Sequence, residues 1–89
     1  MQAFRHSAEI TYFVRPELTG KGLGTQMLEH LERAGKEIGI TTLLASISSL
    51  NEGSIRFHER HGFSMCGRFA RVGIKNGVVF DTVWMQKFL

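Results

Sequence analysis

A chain of 89 residues has room for one small domain with a marginal core, which excludes a multidomain architecture within it. Hydrophobic content of 43% and charged content of 21% are those of a folded globular chain and exclude disorder. A formal charge of +3, spread along the chain, suits an anionic ligand and argues against a dedicated nucleic-acid surface.

Gln2 to Ser7 is a polar, basic lead-in. Glu9 opens the first predicted strand, which runs to about Arg15 through Ile10, Thr11, Tyr12, Phe13 and Val14. Pro16 ends it, because proline cannot donate to a ladder and favours a turn. Gly20, Gly22 and Gly24 then stand at every second position, and a helical pattern begins directly after them. Strand, glycine loop and helix start can form an anion site: bare backbone lets N–H groups approach a phosphate, and the helix dipole favours its charge. A plain glycine-rich turn has the same pattern. Lys21 is followed by Gly22 rather than Ser or Thr, so this is not a Walker A loop. Met27 stands where a dinucleotide fingerprint needs its third glycine.

Leu23, Met27, Leu28, Leu31, Ala34 and Ile38 form one stripe at helical period, predicting an amphipathic helix over Leu23 to Ile38. Gly39 stops it as a C′ glycine. Thr41 to Ser48 is a short apolar run and reads as a buried strand. It is parallel to the first if the helix is the crossover of a right-handed βαβ unit. Asn51 or Ser54 can cap a second helix over Ser54 to His61, ended by Gly62. Phe63 to Ile74 and Val78 to Phe88 flank Asn76-Gly77, a strong hairpin signal. The predicted order is β-α-β-α-β-β. The single cysteine, Cys66, forms no internal disulfide; it reads as a strand filler in a reducing compartment. No apolar run is long enough to span a membrane, and Met1 to Arg5 lacks the apolar core of a signal peptide. The expectation is a soluble, cytoplasmic protein with no membrane partner.

Two segments carry a resemblance. Lys21 to Gly24 fits the last four positions of x-x-Gly-x-Gly, and Asn51-Glu-Gly-Ser-Ile-Arg-Phe-His-Glu-Arg-His-Gly-Phe63 fits Asn-x-x-Ser-x-x-Phe/Leu-x-Glu-x-x-Gly-Phe. In register, the two resemble the paired motifs of the GNAT N-acetyltransferases. Val72 to Gly77, Asp81 to Gln86 and the lead-in Ala3-Phe4-Arg5-His6 resemble one branch of that superfamily, the phosphinothricin and methionine sulfone/sulfoximine acetyltransferases. The resemblance implies an α+β fold with a GNAT-like mixed sheet, here one partial domain over residues 1–89. The family's N-terminal strands and helices, roughly half its fold, have no counterpart in it. Thr19, His61, Ile74 and Val79 depart from the family's usual residues, the last two where they bear on the amine.

The implied chemistry is acetyl transfer from acetyl-CoA, as co-substrate, to the primary amine of a small amino-acid-like substrate, without a covalent enzyme intermediate. It needs a held cofactor, a base, an oxyanion donor and a proton for the leaving thiolate. The resemblance assigns the pyrophosphate to the amides of Gly20, Lys21, Gly22, Leu23, Gly24 and Thr25. It assigns the pantetheine arm to the main chain of Tyr12, Phe13 and Val14, a backbone N–H near Phe13 or Val14 being the oxyanion donor. Asn51 would bond the pantetheine, or serve as an N-cap, or both; Arg60 would reach the cofactor from the second helix. Glu9 matches the family's base, and apolar neighbours would raise its pKa; its alternative is an exposed strand-edge carboxylate. His58 would protonate the thiolate, or be a structural histidine. Phe4 and Arg5 match the substrate-side segment, where arginine can pair with a carboxylate. His58 and His61 lie three apart with no third ligand, so no metal is expected. The rival reading is a non-catalytic acyl-CoA-binding or assembly module. An unpaired strand edge predicts either a homo-oligomer, most simply a dimer, or a separate N-terminal half.

Overall fold

The computed structural model describes residues 6–10 and 22–89. Their order is β1 (Ser7–Glu9), α1 (Leu23–Glu37), β2 (Thr42–Ser48), α2 (Glu52–Arg60), β3 (Ser64–Lys75) and β4 (Val78–Phe88). The strands form one sheet in the order β1-β2-β4-β3. β1 pairs parallel with β2, and the β2/β4 and β4/β3 pairs are antiparallel, so the sheet is mixed as expected.

The first strand starts earlier than its hydropathy suggested. The His6 carbonyl already accepts from the N–H groups of Thr41 and Thr42, at 2.8 and 3.2 Å, which carries pairing into the polar lead-in. The Ile10 N–H donates to Leu44 O at 2.8 Å. The predicted continuation through Arg15 lies outside the described residues.

Both helices end in the same chemistry. Gly39 sits at φ 87°, with its N–H on Lys36 O at 3.2 Å and the Ile40 N–H on Gly35 O at 2.9 Å. Gly62 sits at φ 91°, with its N–H on Glu59 O at 3.2 Å and the Phe63 N–H on His58 O at 2.9 Å. Each pair of bonds is a Schellman cap, which needs a left-handed residue and so selects glycine. At the other end of α2, Asn51 is the N-cap: its Oδ1 accepts from the Ser54 N–H at 3.1 Å. The helix therefore starts at Glu52, two residues ahead of the predicted Ser54.

The buried line of α1 differs from its apolar stripe. Leu28 and Gly24 are buried and Leu31 and Gly35 partly so, while Met27, Ala34 and Ile38 are exposed. The small residues explain the rotation. A Cβ at Gly35 would lie 3.4 Å from Ile40 Cβ and 3.7 Å from Leu89 Cδ1, so glycine lets the backbone settle against its neighbours.

Leu28, Leu43, Ala45, Ile47, Phe63, Val83 and Met85 form the core, with Ile55 and Phe57 packed against it from α2. Burying a side chain of this size contributes about 1.5–3 kcal/mol. The pairs Ala45↔Met85 and Ile47↔Val83 put alternate residues of β2 and β4 on this face. Both helices cover it, and the Lys87 Nζ–Glu32 Oε1 ion pair at 2.8 Å ties β4 to α1. The opposite face carries Glu9, Leu44, Ser46, Trp84 and Gln86, and no helix among the described residues packs there.

Asn76 and Gly77, at φ 51° and 77°, make the predicted tight turn, both with the positive φ of a type I′ hairpin. Between Phe69 and Gly73 the β3 register shifts against β4. Arg71 takes φ 57° there, and Asp81 holds the irregularity: it accepts from the Arg71 N–H at 2.8 Å and from Arg68 Nε at 2.7 Å. Its own N–H donates to Ser49 Oγ at 2.9 Å, anchoring the β2–α2 loop. Across the pair, Gly73 leaves room for the Phe80 ring.

The Arg71 amide first, and the Arg68 guanidinium second, hold the Asp81 carboxyl below its ordinary value. A depressed folded pKa contributes stability above the unfolded value, which is lost as pH falls through the folded one. We expect Asp81→Asn to be less stable than wild type at neutral pH. The gap should close as pH drops through the carboxylate range, read from urea midpoints at each pH. A gap that stays constant would contradict this account.

Candidate active site

The start of α1 is built from backbone. Gly22, its N-cap, has φ 75° and ψ 9°, with no side-chain cap bond. The first helical bond runs from the Gln26 N–H to Gly22 O at 3.0 Å. The N–H groups of Leu23, Gly24 and Thr25 therefore precede the intrahelical ladder and point out of the helix end. A Cβ built on Gly22 would meet none of the described residues within 4 Å. Dipole and outward-pointing donors together can hold an anion.

Thr25 links this end to α2. Its Oγ1 lies 3.0 Å from His61 Nε2, while His61 Nδ1 lies 2.7 Å from Phe57 O. A carbonyl only accepts, so Nδ1 carries the proton, and in the neutral ring Nε2 accepts from the Thr25 hydroxyl. The Phe57 and His61 rings pack at 4.3 Å between centroids. The two glycine-bounded segments, far apart in sequence, thus meet at one place.

His58 is buried and 4% exposed. Its Nδ1 donates to Ser54 O at 2.7 Å, and its ring stands edge-on to Phe63 at 5.0 Å. Burial pushes its pKa below the ordinary value; the Ser54 carbonyl works the other way, and nearby His61 lowers it again. Asn51 is exposed, its Oδ1 engaged in the cap, and its amide has two further donors. Arg60 is exposed at the end of α2.

Glu9 is an exposed strand carboxylate. It is paired in register with Leu44, which puts it on the helix-free face, where Ser46 Oγ lies 3.4 Å from its Oε1. The apolar enclosure expected from Tyr12 and Phe13 involves residues outside the described ones. Phe4, Arg5, Tyr12, Phe13, Val14, Gly20 and Lys21 also lie outside them, and Leu23 is described by its backbone alone. Two contacts were missed from sequence. Ser46 beside Glu9 follows only from strand register, and His61 was noted as a departure without its partner Thr25.

The model of the acetyltransferase (GNAT) family matches residues 2–63. An L-methionine sulfoximine/L-methionine sulfone acetyltransferase of Pseudomonas aeruginosa is 38% identical over 85 residues, covering 96% of this chain and 49% of the relative. The chain spans about half the length of the curated relatives it matches. Among solved structures, yncA of Salmonella typhimurium, determined with its cofactor acetyl-CoA, is 35% identical at a TM-score of 0.89, covering 100% of this chain and 51% of that one. A phosphinothricin acetyltransferase of Sinorhizobium meliloti, in complex with acetyl-CoA, is 32% identical at a TM-score of 0.88, covering 98% of this chain and 47% of that one. Sheet order, the glycine-started helix and the family model over residues 2–63 agree, and the chain belongs to the acetyltransferase (GNAT) family.

Proposed function

We propose that this chain forms the cofactor-binding half of an N-acetyltransferase. It would move the acetyl group of acetyl-CoA to the primary amine of a small amino-acid-like substrate, of the methionine sulfone/sulfoximine or phosphinothricin type. The observation that carries this reading is the start of α1: a left-handed Gly22 and N–H groups ahead of the first helical bond. Relatives of the same sheet and helix arrangement hold acetyl-CoA.

In this reading the amides from Gly20 to Thr25 bind the diphosphate, and the main chain of Tyr12, Phe13 and Val14 pairs with the pantetheine arm. Asn51 offers its amide N–H groups to that arm, and Arg60 adds charge at the cofactor's phosphate side. Acetyl-CoA, when bound, would supply the acetyl group, and the CoA sulfur that departs would be neutralised by the second proton lost from the acceptor nitrogen. Glu9, on the helix-free face, takes the proton from the substrate ammonium, directly or through water. Phe4 and Arg5 are assigned to the acceptor by the resemblance, and Arg5 would pair with its carboxylate.

His58 has two candidate roles, and its surroundings favour packing over proton transfer. Its Nδ1–H is committed to Ser54 O, so donation from Nε2 would need an imidazolium that burial disfavours. Association with a second copy, or with a separate N-terminal half, belongs to the same reading. Exposed Phe69, Val72 and Ile74 on the outer strand β3 support it. A cytoplasmic location is supported by the free Cys66. Among the described residues, no helix is long and apolar enough to cross a membrane.

The test is an acetylation assay with acetyl-CoA and a panel of methionine sulfone, methionine sulfoximine and phosphinothricin, beside calorimetry with CoA. Turnover supports the enzyme. Binding without turnover on any acceptor supports the rival, a non-catalytic acyl-CoA-binding module. Absence of binding overturns both.

A further inference from the structure

His61 is one of the departures from the resembled family's usual residues, and the proposed chemistry leaves it unused. Nδ1 is tied to the Phe57 carbonyl at 2.7 Å, the ring packs on Phe57, and Nε2 meets Thr25 Oγ1 at 3.0 Å. Thr25 is the third residue of α1, so its hydroxyl and its N–H both belong to the helix end proposed for the diphosphate.

In the neutral ring, Nε2 has only a lone pair to offer. The Thr25 hydroxyl hydrogen points at it and is withheld from any ligand. When the ring gains a proton from solvent, Nε2–H becomes a donor to Thr25 Oγ1. The hydroxyl hydrogen is then released and can turn to an anion at the helix end. The same proton adds a positive charge within one side chain of that anion.

We propose that His61 is a positioning residue that couples binding of the cofactor diphosphate to uptake of one proton, acting through the Thr25 hydroxyl. The inference rests on the cofactor reading above and adds its regulation by pH. Among the described residues, the charged groups around the ring are few. On α2 they are His58, with the Phe57 ring 5.4 Å from it and 4.3 Å from His61, and the flanking Glu59 and Arg60. From β4, the Lys87 stem lies against Gly62, but its ammonium is paired with Glu32 of α1. On α1, Glu29 lies one turn beyond Thr25. Among the described residues, none of these carboxylates is hydrogen-bonded to His61, so the ligand's own charge is the partner that protonation serves.

Dephospho-CoA is the probe, because it keeps the diphosphate and lacks the 3′-phosphate, whose own titration near neutrality would confuse the result. Calorimetry on the full chain in buffers of different ionisation heat counts the protons taken up. Wild type is expected to gain protons on binding and to bind roughly tenfold more tightly at pH 6 than at pH 8, the linkage expected of about one coupled proton. His61→Gln can bond to Thr25 but cannot titrate, and circular dichroism reports its fold. It should bind no more tightly at pH 6 than at pH 8, and Thr25→Val should lose most of the pH response. Binding by wild type without proton uptake overturns this inference and leaves the cofactor reading standing. A pH response that survives in folded His61→Gln does the same. Absence of dephospho-CoA and CoA binding at every pH overturns both.

Discussion

Gly22→Val should raise the dissociation constant for CoA by at least about tenfold, equivalent to some 1.4 kcal/mol. Two physical effects add. Gly22 holds φ 75° and ψ 9°, a left-handed conformation that costs a β-branched residue on the order of 1–3 kcal/mol. The strain falls on the residue whose carbonyl accepts the first helical bond, from Gln26, so relief would turn the end N–H groups away from their common target. A Cβ there meets none of the described residues within 4 Å, and it would project toward the space proposed for the diphosphate. Gly22→Asn separates the effects, since asparagine tolerates the left-handed region. If the asparagine variant binds well and the valine variant does not, backbone geometry dominates. If both fail, obstruction dominates. A folded Gly22→Val chain with wild-type affinity would remove the helix end from the cofactor site.

What could be read from the sequence was local chemistry. Asn76-Gly77 specified its turn, Gly39 and Gly62 their helix caps, and Asn51 its N-cap, because each acts on bonds within a few residues. The elements and their order followed from periodicity. The parallel pairing of the first strand with Thr41 to Ser48 followed from the βαβ reading, but where that pairing starts did not. Ser7 to Glu9 form a strand because Thr41 and Thr42 meet His6, and no hydropathy pattern marks a polar strand start. The buried line of α1 turns on Gly24 and Gly35, which a hydrophobic stripe ignores.

The site divides along the same line. Gly22 and Asn51 were legible as motif positions, but Thr25 meeting His61 across 36 residues, and Ser46 beside Glu9, required the fold. The Arg71 conformation and its Asp81 anchor depend on a register shift that single-strand patterns do not encode.

Glu9→Gln should lower kcat by about a hundredfold or more, the loss expected when a general base is removed. The substitution keeps the side chain's length and leaves an amide oxygen able to accept from Ser46 Oγ, now 3.4 Å from the carboxylate. Glu9 is exposed and contributes no buried contact, so thermal stability should be nearly unchanged. Cofactor affinity should hold as well, because Glu9 lies on the sheet face opposite the one that α1 covers. That split is what distinguishes a base from a residue that merely shapes the fold: turnover falls while dissociation of CoA does not move. Glu9→Asp sharpens the comparison by keeping a carboxylate one methylene further from the acceptor; a base acting through water should recover part of the rate, whereas direct contact should not. The assay uses whichever acceptor in the amine panel turns over fastest, with rates taken across pH. Wild-type rates across pH in Glu9→Gln would assign the base to another group.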